Sequence, residues 1–229
     1  MILSVMISTI LRLFNQIQAI VNYASIYSIF LPVFVGLFFI RKLHGKGILI
    51  LLLVVTGSIP QFMRGLFGQV NFIYLFYNIN ILIEITILYL FFRNFFKNKI
   101  RRNVITLTYA FSLILGIILS VLYSFRYHFF SEWVCLNNLF FTGWILMLLI
   151  EIYEQDDQIL NTTVPSFWFV IGLFLYCSCT VLIFSLWSYI MSHQDTVLNN
   201  LWIIHDVFNV GMYVSFSVGL NLSAKNISR

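Results

Sequence analysis

Charge is what this sequence has least of. Asp, Glu, Lys and Arg supply 9% of its 229 residues, against about a quarter in a soluble domain. So few polar groups cannot cover a folded surface in water, which excludes an ordinary soluble fold. Cysteine is scarce as well. There are three, with no CxxC motif, so no disulfide framework is encoded. Cys177 and Cys179 stand two apart on an expected helix and face different sides, so they cannot pair with each other; with Cys135 they read as small packing residues. Long linkers and low-complexity segments are missing, and no connection is long enough to fold as a separate domain.

Hydrophobicity is what the chain has instead. Apolar residues make up 61% of it, and the mean hydropathy is +0.95. Lipid is the solvent that suits such a composition. A membrane-spanning helix takes about 17–25 apolar residues, and runs of that kind fall at 24–40, 47–63, 71–92, 103–123, 132–151, 167–190 and 200–222. The expected fold is therefore all-α, a polytopic bundle of about seven transmembrane helices forming one domain over 23–229. Residues 1–22 begin apolar but have no basic start and no small-residue cleavage site. Arg12, Asn15, Gln16 and Gln18 then interrupt the run. This segment reads as an amphipathic interfacial helix, with a further span as the alternative.

Basic residues stay preferentially on the cytoplasmic side. Arg41, Lys42, Lys46, Arg93, Lys97, Lys99, Arg101, Arg102, Lys225 and Arg229 all fall on one side of a seven-helix chain, and only Arg12, Arg64 and Arg126 on the other. This predicts an outside N-terminus and a cytoplasmic C-terminus. Trp133, Trp187 and Trp202 fall near the expected outer ends and Trp168 near an inner end, where an amphipathic indole suits the headgroup region. Pro32 and Pro60 should kink the first two helices, since each removes a backbone donor. The net charge of +5 suits anionic lipid and does not call for nucleic acid.

An ionisable residue within a span is a functional candidate, because its insertion costs about 2.5–3.5 kcal/mol. Glu84 and Asp206 qualify. Tyr77, Asn80 and Glu84 share one face of the third helix, and Asp206, Asn209, Tyr213 and Ser217 share one face of the seventh. At a rise of about 1.5 Å per residue, Asp206 lies roughly 9 Å below the outer end of its helix. The expectation is a polar cluster of Tyr77, Asn80, Glu84, Asp206, Asn209 and Tyr213 between these helices in the outer half, with Asn137 and Asn138 as possible additions. The alternative is that the same residues only bond helices together. His205 points about 100° away from Asp206, so the two cannot easily grip one metal ion, and no metal site is expected.

Several chemistries fail on specific residues. Retinal attachment needs a lysine in the last helix. Val210 stands four residues after Asp206, where that lysine would be, and Lys42, Lys46, Lys97, Lys99 and Lys225 all lie outside the expected spans. No cofactor is expected. The Pro60-Gln61 dipeptide resembles the PQ motif of sugar and amino-acid transporters, but the second copy those families carry is missing. Glu84 and Asp206 differ in depth, which argues against an acid/base pair, and there is no GxSxG, HExxH or paired GxGD-like signature, so enzymatic activity is not expected. Gly211, Ser215 and Gly219 form a small-residue ladder suited to close helix contact.

The segments "LFYNINILIEITILYLFF", "VPSFWFVIGLFLYCSCTVLIFSL" and "LWIIHDVFNVGMYVSFSVGL" resemble a group of uncharacterised small seven-helix integral membrane proteins of Bacteroidetes-type bacteria. The shared features are the acid at Glu84, the element Pro165-Ser166-Phe167-Trp168, and His205-Asp206 followed by Asn209. More distantly, the chain is similar to seven-helix sensor regions of bacterial histidine kinases. The resemblance implies the fold and a bacterial inner membrane.

The functional expectation is a non-enzymatic membrane protein that senses or relays a signal through the polar cluster. It would pass that signal to a membrane or cytoplasmic partner protein. Contact would run through Arg93, Lys97, Lys99, Arg101 and Arg102 together with Glu151, Glu154, Asp156 and Asp157, unless these charges serve only to fix topology. Transport of a small solute or protons, and a structural role in a larger membrane complex, are the alternatives.

Overall fold

The computed structural model of the chain describes residues 16–67, 73–123, 129–155, 162–186 and 201–225. Seven helices account for nearly all of them: α1 (Gln16–Phe38), α2 (Lys46–Phe67), α3 (Ile73–Arg93), α4 (Lys99–Leu122), α5 (Ser131–Gln155), α6 (Pro165–Ser185) and α7 (Leu201–Lys225). All seven are long and apolar enough to cross a membrane, and no strand occurs among the described residues. The protein is an all-α membrane protein, with one helix at each expected apolar run. The first helix already includes residues 16–22, which the sequence assigned to an interfacial segment. Residues 1–15 of that segment lie outside the described ones.

Local sequence sets the helix ends. Pro32 removes the donor that the Ser28 carbonyl would use, and α1 is interrupted by a turn at Ile29, one helical turn before the proline. Pro60 leaves α2 unbroken. A short 3-10 turn, Ile40–Lys42, leads from α1 to Gly45, whose φ of 52° is a left-handed conformation that glycine adopts without strain. The Asn98 carbonyl oxygen caps α4, accepting from the backbone N–H of Ile100 at 2.8 Å and of Arg101 at 3.4 Å. Pro165 opens α6, where no intrahelical donor is needed. Trp168 donates from Nε1 to the Thr162 carbonyl at 2.9 Å, tying the approach segment to the helix.

Each helix packs against its sequence neighbours, and α7 returns to α1, closing the bundle into a ring. The α6–α7 contact is the most extensive; α7 also meets α2, and α3 meets α5. Glycines allow the close approach. A Cβ on Gly172 would stand 3.0 Å from the Ser215 Cβ and 3.3 Å from the Met212 carbonyl, while one on Gly219 would enter the Phe169 ring. Ser215 and Gly219 therefore serve the close contact expected of the small-residue ladder. Gly211 instead faces open space.

The main core sits in the half of the bundle nearer the basic connections, hereafter the basic end. An edge-to-face aromatic chain crosses it. Phe216 of α7 meets Phe169 of α6 at 6.2 Å, and Phe169 meets Phe91 of α3 at 6.2 Å. Phe91 meets Phe92 at 5.3 Å, Phe92 meets Trp144 of α5 at 5.9 Å, and Trp144 meets Phe141 at 5.4 Å. All are buried. A smaller cluster of Ile81, Phe130 and Trp133 lies toward the other end. Trp133 is fully buried, not at a headgroup boundary as its sequence position suggested. Its Nε1–H needs no water, because Ser112 of α4 accepts it at Oγ, 2.9 Å away. Its indole also fills the space beside Gly116.

Candidate functional site

Most hydroxyls in the spans are satisfied within their own helix. Thr56, Thr86, Thr106, Thr108, Thr142, Thr180 and Ser217 each donate to the carbonyl four residues earlier. Glu84, Asp206, His205, Asn22, Asn80, Asn137, Asn138 and Asn209 lie in the half away from the basic end.

Glu84 and Asp206 are not brought into one cluster. The seventh helix lies between α6 and α1 in the ring, so Asp206 and Asn209 turn to α1. Asn22 donates from Nδ2 to the Asp206 carboxylate at 3.3 Å, and Asn209 donates from Nδ2 to Ser25 Oγ at 2.9 Å. The helix-to-helix pairing that the sequence left as an alternative describes these two residues. Neither Asn22 nor Ser25 was singled out in the sequence, although their spacing of three places them on one helical face.

Glu84 faces α5. It lines a narrow cavity of about 10 Å³ together with Ile81 of α3 and Val134, Asn137, Asn138 and Phe141 of α5. Asn137 and Asn138 are 2% and 4% exposed. The Asn137 carbonyl oxygen accepts from the Ser112 hydroxyl, which leaves its Nδ2 group without a partner. Asn138 donates from Nδ2 to the Val134 carbonyl at 2.9 Å, which leaves its Oδ1 without one. Asn80 Oδ1, one turn from Glu84 along α3, is likewise buried and unpartnered. Buried amide atoms are nearly always hydrogen-bonded in folded proteins, so this concentration of open ones around a carboxyl marks a site. Polar spacing along α3 pointed to Glu84 and Asn80, and the asparagine pair early in α5 completes the group.

Tyr77 lies nearer the end of the bundle, its ring 6.1 Å from that of Phe129. Tyr213 of α7 and Tyr176 and Cys177 of α6 complete the surroundings of Glu84, all within its electrostatic reach. The ring of Tyr176 also contacts His205, centroid to centroid 5.5 Å, and Trp202 meets His205 at 5.3 Å. Both nitrogens of His205 are buried without a hydrogen-bond partner, and Nδ1 is 3.9 Å from the Asp206 carboxylate. Tyr176 thus stands between the two polar groups. Nothing in the sequence set it apart from the other tyrosines. Among the described residues no group of His, Cys, Asp and Glu is arranged to hold a metal ion.

At the basic end the acidic and basic segments engage each other. Glu151, 3% exposed, accepts at Oε1 from the backbone N–H of Lys97 at 2.7 Å and of Asn98 at 3.1 Å. Arg101 reaches Glu151 Oε2 at 3.4 Å and Glu154 Oε1 at 2.8 Å. The α3–α4 connection is therefore fastened to α5. Arg93, Lys97, Lys99 and Arg102 have exposed side chains, and the Arg93 guanidinium lies 5.7 Å from the centre of the Tyr89 ring. Asp156 and Asp157 lie outside the described residues. No protein family matches the chain, and neither does any curated protein or solved structure.

Proposed function

We propose that this protein is a non-enzymatic seven-helix membrane protein that senses a small ligand or a proton at Glu84 and relays the change to its basic end. The observation that carries the reading is the cavity where Glu84 meets two buried asparagines with open hydrogen-bonding atoms. Ordinary helix packing leaves no reason for them. The relay has a physical route. Phe141 lines the cavity and begins the aromatic chain through Trp144 and Phe92 to Phe91, which meets Phe95 at 5.1 Å. Lys46 sits 3.1 Å over the Phe95 ring. Helix α5 also holds α3 at the cavity and the connection that follows α3 at the Glu151 clamp, so a shift of α3 against α5 at the cavity bears on the clamp.

The surface that would meet a partner is the α3–α4 connection with the end of α5, where Arg93, Lys97, Lys99 and Arg102 are exposed. On this reading the basic end is cytoplasmic, following the distribution of Lys and Arg, and the membrane is a bacterial inner membrane. The closely packed aromatic layer on the basic side of Glu84 favours sensing over transport, because a translocation path needs polar groups across that level. Reconstitution into vesicles tests this directly. Proton and small-solute uptake should match protein-free vesicles, and uptake that Glu84→Gln abolishes would replace the sensor with a transporter.

A further inference from the structure

The proposed sensing site has an unfilled set of hydrogen-bonding atoms, and their chemistry limits what can fill it. Asn137 offers a donor at Nδ2. Asn138 offers an acceptor at Oδ1, and the Glu84 carboxyl offers acceptor oxygens. The bonds that Asn137 receives from Ser112 and that Asn138 makes to Val134 fix which end of each amide turns to the cavity. A bare cation would meet the Asn137 N–H group, and an anion would meet Glu84. The occupant must donate and accept at once. It must also be very small, since the cavity measures about 10 Å³, roughly the space for the centre of one water molecule.

We propose that the cavity holds a single water molecule that accepts from Asn137 Nδ2 and donates to Asn138 Oδ1 and to Glu84, and that the ligand sensed there is a proton. The inference rests on the sensing role proposed for Glu84 and names its ligand. A water with three polar partners is well within the usual coordination of a buried one. It supplies the link between α3 and α5 that no direct side-chain bond makes. Protonation of Glu84 turns one carboxyl oxygen from acceptor to donor, so the water must reorient against the fixed Asn137 and Asn138. The other groups facing Glu84 are Tyr176 and Cys177 from α6 and Tyr213 from α7. No basic side chain pairs with Glu84 among the described residues, so the water and the amides are the dipoles available to its charged form.

Infrared difference spectra of the full chain in phospholipid bilayers, taken between a low and a high pH, test this. A protonated-carboxyl band should vanish in Glu84→Gln and shift in Asn138→Leu. A band of weakly bonded water should move to lower frequency in water labelled with oxygen-18, a result obtainable on the wild type without any variant. Three results would overturn the proposal: no isotope-sensitive water band, a carboxyl band indifferent to Asn138→Leu, or a carboxyl band displaced when sodium replaces choline in the buffer, which would make the occupant a cation. A dry cavity with an intact response at the basic end would remove the water and leave the sensing role standing.

Discussion

A buried side chain in a membrane protein must settle its polar atoms without water, and Trp133 and Glu84 do so in opposite ways. The Trp133 N–H is satisfied by Ser112, and Ser112 in turn donates to Asn137. Replacing Trp133 by Phe keeps most of the ring but leaves the Ser112 acceptor without its donor. Stability should fall by about 1 kcal/mol, read from reversible unfolding in mixed lipid–detergent micelles. An unchanged midpoint would show that the indole contributes by volume alone. Glu84 instead lines a cavity whose neighbours Asn137 and Asn138 keep open atoms, as Asn80 and His205 do nearby. Residue type made both acids and the paired asparagines conspicuous in the sequence. The partners of Asp206 and Asn209 were not legible, because Asn22 and Ser25 lie nearly the whole chain away and only the closure of the ring brings them near.

The helices themselves were readable from apolar length alone, since a span in lipid must satisfy its backbone internally and so has to be helical. Which helices touch was not. Alternating direction places α3 and α7 parallel to each other, and similar polar stripes on the two suggested that they face each other. Packing decides otherwise, because α7 fits closely against α6 through Gly172, Ser215 and Gly219 and turns its stripe to α1. The clamp at the basic end is an element-scale device of the same kind. Two backbone N–H groups ahead of α4 depend on one buried carboxylate from α5. Glu151→Ala would orphan both and free Arg101 from one of its two partners, at a cost of about 1–3 kcal/mol. Limited proteolysis should then cut between Arg93 and Arg102 faster than in the wild type. An unaltered cutting rate would mean that the connection is held by something else.

At the scale of the whole molecule, composition alone identified the solvent. A chain so poor in charge and so apolar belongs in lipid, and seven helices of spanning length follow from it. The division of labour along the membrane axis could not be read that way. The half of the bundle near the basic end is a closely packed aromatic core, while the other half carries the open polar groups. That asymmetry depends on which faces meet, and in a sequence so uniformly apolar the pattern that marks an inward face is weak. The two halves meet through α5, which shares the cavity with α3 at one level and clamps the α3–α4 connection through Glu151 at another.

Hydrogen exchange on bilayer-embedded protein at two pH values tests that coupling most directly, once corrected for the intrinsic pH dependence of amide exchange. Every other ionisable group is common to the two proteins compared, so the difference between wild type and Glu84→Gln isolates the intramembrane carboxyl. Protection of the amides from Lys97 to Arg101 should change with pH in the wild type and stay constant in Glu84→Gln. The same pH response in both proteins would contradict a relay from Glu84 to the basic end.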